Sequence, residues 1–124
     1  MDPINVLDSQ GRCSFLSAGT MLRSYQGEGV QWLVRQYDHG VGGILGDEMG
    51  LGKTVQTLSF LAYLKARRGI GGPHLIVTPL AVLHNGANES KRFTPDFKVP
   101  CWRRFLSFSL SLFLSLSACL HALN

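Results

Sequence analysis

Asp47-Glu48-Met49-Gly50-Leu51-Gly52-Lys53-Thr54 decides how this chain is read. Residues 42–46, with Ile44 and Leu45 inside, form a short apolar run before it, and an amphipathic run over residues 55–68 follows. Strand, glycine-rich loop, Lys-Thr and helix is the layout of a phosphate-cradling P-loop. The chemistry accounts for the residue types. Phosphate oxygens need many donors at close range. Gly50 and Gly52 lack Cβ, so the backbone can turn sharply and present its N–H groups. The first free N–H groups of the following helix, and its positive dipole end, face the same place. Lys53 brings a full charge for β- and γ-phosphates, and the Thr54 hydroxyl suits Mg²⁺. One position departs from the general pattern, which puts glycine five places ahead of Gly52, where this chain has Asp47. A bare Gly-Lys-Thr reads as an ordinary surface loop; the apolar run before it and the helix pattern after it favour the P-loop.

With 124 residues the chain holds one domain and not two. Its formal charge of +4 and pI of about 9.3 are compatible with an anionic partner. Lys65, Arg67 and Arg68 sit beside a helix end, where cations also suit the helix dipole. Cys13, Cys101 and Cys119 are odd in number and contain no Cys-x-x-Cys pair, which excludes a zinc ribbon or a thioredoxin-like site. A reducing compartment is the simplest reading. The four histidines show no metal-ligand spacing, and His84 reads as a helix-surface residue. Asp2 and Asp8 stand where a secretory signal would have basic and apolar runs.

Residues 1–20 are small and polar and read as a flexible leader. From Leu22 the spacing of Leu22, Tyr25, Val30, Leu33, Val34 and Tyr37 predicts a helix that stops at Asp38-His39-Gly40. Gly27 and Gly29 weaken it by about 1 kcal/mol each, which suggests close approach of another element or a ligand. A second helix runs from about Lys53 to Arg68, with Val55, Leu58, Leu61, Ala62 and Lys65 on one stripe, and Gly69 to Pro73 end it. Leu75-Ile76-Val77 reads as a buried parallel strand, ended by Thr78-Pro79. A third helix from about Leu80 to Phe93 follows, and Phe97-Lys98-Val99 looks like the start of another strand. The alternation predicts an α/β fold, a short parallel sheet flanked by helices. After Pro100 the composition breaks. Apolar residues take every even position from 106 to 116 and serine nearly every odd one, a period-two strand pattern in an uncharged, proline-free run. A membrane anchor flanked by Arg103 and Arg104 is the competing reading, but the run of 16 residues is serine-rich and shorter than the roughly 20 apolar residues a spanning helix needs.

Three stretches together carry a family resemblance. Leu22-Arg23-Ser24-Tyr25-Gln26-Gly27-Glu28-Gly29-Val30-Gln31-Trp32-Leu33 resembles the opening of the motor of Swi/Snf-type chromatin-remodelling ATPases. Asp47 to Thr54 resembles their first helicase motif, in which Asp-Glu-Met-Gly leads into Leu-Gly-Lys-Thr, so Asp47 agrees with the family where it departs from the general pattern. Leu75-Ile76-Val77-Thr78-Pro79-Leu80, with Val82, Leu83 and Asn85, resembles the next motif along. The resemblance implies a partial P-loop NTPase, RecA-like lobe over residues 21–100, an incomplete ATP-binding helicase-like lobe. It implies ATP and Mg²⁺ as cofactors, DNA or the nucleosome and remodeller subunits as partners, and the nucleus as location. It assigns nucleotide contact to Gln26, Asp47, Gly50, Leu51, Gly52, Lys53 and Thr54, with Thr54 also on the metal. Gln26 would read the adenine edge, since an amide offers one donor and one acceptor side by side. Thr78 and Pro79 would touch a DNA backbone phosphate, although a strand-ending turn explains them nearly as well. Tyr25 and Trp32 read as packing residues.

Departures from the family shape the functional expectation. Its first lobe carries an Asp-Glu motif at the end of a later strand, whereas the acids after Thr54 here are Glu89 and Asp96, and neither follows an apolar strand. The arginines of a second lobe are also missing. Gly86 stands where the family usually has tryptophan; losing a packed aromatic costs about 3–5 kcal/mol, so the third helix is expected to dock poorly. The break near Pro100 predicts a truncated product, through a retained intron, a premature stop or a gene-model error, with residues 101–124 a low-complexity Ser/Leu tail outside the fold. The expectation is an ATP-binding fragment of a DNA-dependent motor that does not hydrolyse ATP alone. The alternative is a non-catalytic regulatory or decoy isoform acting by protein association. A small P-loop kinase fits less well because it leaves the Gln26 motif unexplained.

Overall fold

The computed structural model describes residues 6–17, 19–102 and 117–121. Its elements in order are α1 (Ser24–Asp38), α2 (Lys53–Arg68), β1 (His74–Thr78), α3 (Leu80–Phe93), β2 (Cys101–Trp102) and β3 (Ser117–His121). They fall into two compact units, Met1–Gly71 and Gly72–Asn124.

In the first unit α1 packs on α2. Glycines bound α2 at both ends. Gly52 is left-handed at φ 85°, and Gly69 at φ 68° turns the chain so that its own N–H and that of Ile70 return to the Leu64 carbonyl, a conformation glycine adopts without a Cβ penalty. Val30 and Val34 of α1 are fully buried, and Leu58, Leu61, Ala62, Tyr63 and Leu64 of α2 are buried as well. The buried side of α2 also takes in Gln56 and Ser59, so it is more polar than the stripe expected from Val55 to Lys65. Ser59 Oγ meets its need inside the helix, donating to the Val55 carbonyl at 2.6 Å. The far ends of the two helices are joined by Arg68 Nη2 to Asp38 Oδ2 at 2.6 Å.

Residues 6–17, expected as part of a flexible leader, pack instead. Val6, Cys13 and Leu16 are buried. The cause is local: Gly27 leaves a notch on α1 in which a Cβ would lie 2.4 Å from Leu7 Cδ1. Phe15 sets its ring edge-on to Tyr63 at 5.4 Å, and the Arg67 guanidinium lies 5.4 Å over the Phe15 ring. A turn at Asp8 precedes this, with its carboxylate accepting from the N–H groups of Gln10 and Arg12. The Arg12 N–H is the main cause that holds the Asp8 carboxyl below its ordinary value. Burial pushes the Cys13 thiol up.

The second unit holds a three-stranded sheet in the order β1-β3-β2. Both pairings are antiparallel, with His74 opposite His121, Thr78 opposite Ser117 and Cys101 opposite Cys119. This corrects the expected parallel sheet. The strand expected over residues 42–46 is absent because a strand exists only through backbone pairing, and this glycine-rich stretch has no strand beside it among the described residues. Residues 97–99 are likewise irregular. The sheet takes its other two strands from the stretch expected to stand outside the fold, while the period-two run over residues 106–116 lies outside the described residues. Leu75 (60% exposed) and Val77 (44%) face solvent, so β1 is not the doubly buried strand its apolar run suggested. α3 buries Leu83 and Ser90, and Thr94 closes it through hydroxyl bonds to Ser90. At Gly86 a Cβ would meet nothing within 4 Å among the described residues; α3 forms around an open position there, not a packed one.

Candidate functional site

The loop over residues 47–52 is built by the helices on either side of it. Arg23 precedes α1, and the third residue of the helix, Gln26, turns its side chain back so that Oε1 accepts from the Arg23 N–H at 3.0 Å, one half of a capping box. That fixes the amide and aims Nε2 at the loop, where it donates to the Leu51 carbonyl at 3.0 Å. Tyr25 donates its hydroxyl to the same carbonyl at 3.2 Å. Two side chains 25 and 26 residues away therefore hold one carbonyl of the loop. At Gly52 glycine is required twice over: φ is 85°, and a Cβ would lie 2.5 Å from Gln26 Nε2. Gly50 shares the left-handed backbone at φ 86°.

Lys53, the first residue of α2, folds over the loop. Its Nζ donates to the carbonyls of Asp47 and Glu48, the latter at 2.8 Å. Gln56 lies three residues on, on the same side of the helix, and its Nε2 donates to Asp47 Oδ2 at 2.9 Å. Asp47 is thus held by its main chain and its side chain from one helix. Gln56 is fully buried, and its Oε1 has no hydrogen-bond partner among the described residues. Gly29 makes room for this amide, since a Cβ there would lie 2.0 Å from Oε1. The two glycines of α1 therefore serve close approach, Gly27 toward Leu7 and Gly29 toward Gln56. Gly43 does the same for Trp32, whose ring would meet a Cβ at 2.4 Å.

The structure gathers Gln26, Asp47, Leu51, Gly52 and Lys53 at one loop in two bonded sets, Gln26 with Leu51 and Lys53 with Asp47, with Gly50 on the same loop. Thr54 is exposed at the start of α2, and among the described residues no side chain caps that helix end. Thr78 and Pro79 belong to the other unit, where Thr78 ends β1 and Pro79 precedes α3. Sequence reasoning overlooked Gln56 and gave Tyr25 packing alone. A polar residue on the buried side of α2, three places after the lysine, was the available signal for the first. For an anion the loop offers an ammonium group, the N-terminus of α2 and the left-handed glycine turns at Gly50 and Gly52.

The model of the SNF2-related domain matches residues 25–106. The chain belongs to the SNF2-related family. It is similar to the chromatin-remodeling ATPase INO80 of Eremothecium gossypii, 55% identical over 82 residues, which cover 65% of this chain and 6% of that protein. It is also similar to human SWI/SNF-related matrix-associated actin-dependent regulator of chromatin subfamily A member 1, 52% identical over 84 residues, 68% of this chain and 8% of that one. The ISWI chromatin-remodeling complex ATPase CHR17 of Arabidopsis thaliana is 58% identical over 74 residues, 60% of this chain and 7% of its own. The chain thus spans less than a tenth of the length of these relatives. Residues 25–106 of this SNF2-related chain take in α1 from its second residue, the loop, α2, β1, α3 and β2.

Proposed function

We propose that this chain is an ATP-binding piece of a DNA-dependent, helicase-like motor of the chromatin-remodelling type. One observation carries the reading: the loop over residues 47–52 is held from both flanking helices, with the Lys53 ammonium folded over it and, among the described residues, no side chain capping the N-terminus of α2. In this reading Lys53 leaves the loop carbonyls for the phosphate oxygens, and the N–H groups around Gly50, Leu51 and Gly52 surround them. Bound Mg²⁺ supplies charge neutralisation between phosphates. The Thr54 hydroxyl, exposed at the start of α2, would be its protein ligand, an oxygen donor of the kind that Mg²⁺ takes. Gln26 keeps one N–H and one lone pair beyond its two bonds, which suits the adenine edge. Thr78 and Pro79 are assigned to a DNA phosphate, with DNA or a nucleosome and remodeller subunits as partners in the nucleus.

The 124 residues by themselves do not turn over ATP in this proposal. Glu89 and Asp96 are the acids after Thr54, Glu89 on α3 and Asp96 in the turn after it. In phosphoryl transfer the protein acts by positioning and electrostatics, so a cradle without a water-orienting acid binds and stops there. Binding is tested by thermal shift. Mg·ATP raises the Tm of the chain by mass action and leaves Lys53→Ala unmoved; equal shifts in both proteins contradict the assignment. DNA-stimulated phosphate release abolished by Lys53→Ala would overturn the absence of turnover. The alternative, a non-catalytic regulatory or decoy isoform that acts by protein association, draws support from Met49 and Ile44, 96% and 90% exposed on and just before the loop. Size-exclusion chromatography with a motor subunit separates a defined complex from a void-volume smear.

A further inference from the structure

We infer that Gln56 is the positioning residue of the loop, acting through the Asp47 carboxylate, and that Gly29 is glycine in order to let it do so. Gln56 has no exposed surface. A buried amide in the first turns of a helix is a poor core residue, and its Oε1 goes without a partner among the described residues. The other end of the amide explains its presence: Nε2 donates to Asp47 Oδ2 at 2.9 Å, a hydrogen bond strengthened by the charge of the acceptor. The carboxylate also sets the orientation of the amide, because the reverse would place two oxygens against each other. Oε1 is therefore turned toward α1, and at that point α1 has Gly29, where a Cβ would lie 2.0 Å from Oε1 and 3.2 Å from Cδ. Three elements meet at one amide: the start of the loop, α2 and α1.

This tie does something that Lys53 cannot. Lys53 also holds Asp47, through its carbonyl. A phosphate that draws the ammonium away removes that hold, whereas the Gln56 bond to the Asp47 side chain stays. Asp47 is the position at which the general P-loop pattern has glycine. Here the side chain at that position is the handle by which α2 keeps the start of the loop in place while its end is fixed by Gly52. The purpose assigned to the tie rests on the nucleotide-binding reading; the tie itself does not, and it is tested without nucleotide.

The test is amide hydrogen exchange of residues 47–57, the loop and the first turn of α2, in the full chain, read by mass spectrometry for the parent, Gln56→Leu, Asp47→Ala and the double variant. The Gln56 N–H is held by the Gly52 carbonyl at the end of the loop, and loss of a hydrogen bond to a charged group predicts exchange about tenfold faster or more there, with the middle of α2 unchanged. The double variant is expected to match the faster single variant, because both substitutions remove one contact. Unchanged loop exchange in Gln56→Leu, or effects that multiply in the double variant, would overturn the inference. Should Gln56→Leu fail to fold, Asp47→Ala reads the same contact from the loop side, and unchanged loop exchange there overturns it equally. Failure of the parent to bind Mg·ATP, with the exchange results as expected, would remove the nucleotide reading and leave the positioning role standing.

Discussion

The two units treat glycine and leucine in opposite ways. In the first, Leu58 is 2% exposed, and Gly29 is filled to contact by the Gln56 amide. In the second, Leu75 is 60% exposed on β1, and at Gly86 on α3 a Cβ would meet nothing within 4 Å among the described residues. The same residue types are therefore tightly constrained in one region and tolerant in the other. The difference follows the use made of each: the first unit has to hold a bent loop from a distance, and bonds from Tyr25 and Gln26 to Leu51 require close-packed helices to bring them there.

The largest test of this contrast is a pair of leucine truncations. Leu58→Ala is expected to destabilise by about 2–5 kcal/mol, the usual range for a buried leucine. Leu75→Ala is expected to stay within about 0.5 kcal/mol, as an exposed substitution does. Urea unfolding followed by circular dichroism measures both, and equal losses would break the comparison. The glycines give the next pair. Gly29→Ala should cost about 1–3 kcal/mol through overpacking against Gln56, while Gly86→Ala should stabilise α3 by about 0.4–1 kcal/mol. A destabilised Gly86→Ala would mean that the open position is filled. Gln26→Ala should cost about 1–2 kcal/mol, because it leaves the Arg23 N–H with no acceptor and removes one of the two donors on the Leu51 carbonyl.

The smallest effect concerns the cysteines. Burial raises the Cys13 thiol above its ordinary value, so the folded state favours its neutral form. Its contribution to stability is present below the ordinary thiol range and is lost as the pH rises through it. Iodoacetamide labelling near pH 8 should therefore modify exposed Cys101 at least about tenfold faster than Cys13. Equal rates would show that residues 6–17 do not stay packed on the helices.

Helices were the legible part of this fold. The period of Leu58, Leu61 and Ala62 and the glycines at 52 and 69 mark α2 to the residue, since a helix is specified by its own spacing and end signals. Strands were not legible in the same way. Residues 42–46 have apolar content but no partner, and β1 found its partner in Ser117–His121, a pairing that no local pattern specifies. The leader was misread because Val6, Cys13 and Leu16 follow no period; their burial depends on the notch at Gly27, which is a property of another element. At the site the motif residues were legible as a row of letters. What holds them was not, because the bonds of Gln26, Tyr25 and Gln56 join residues that the sequence keeps apart.

The most direct measurement is titration calorimetry of Mg·ATP into the full chain and into Lys53→Ala. The account predicts saturable binding by the parent and its loss in the variant, with the circular dichroism of the two proteins alike. Binding of the same strength in both, or none in a folded parent, would contradict the claim that this loop is a working phosphate cradle.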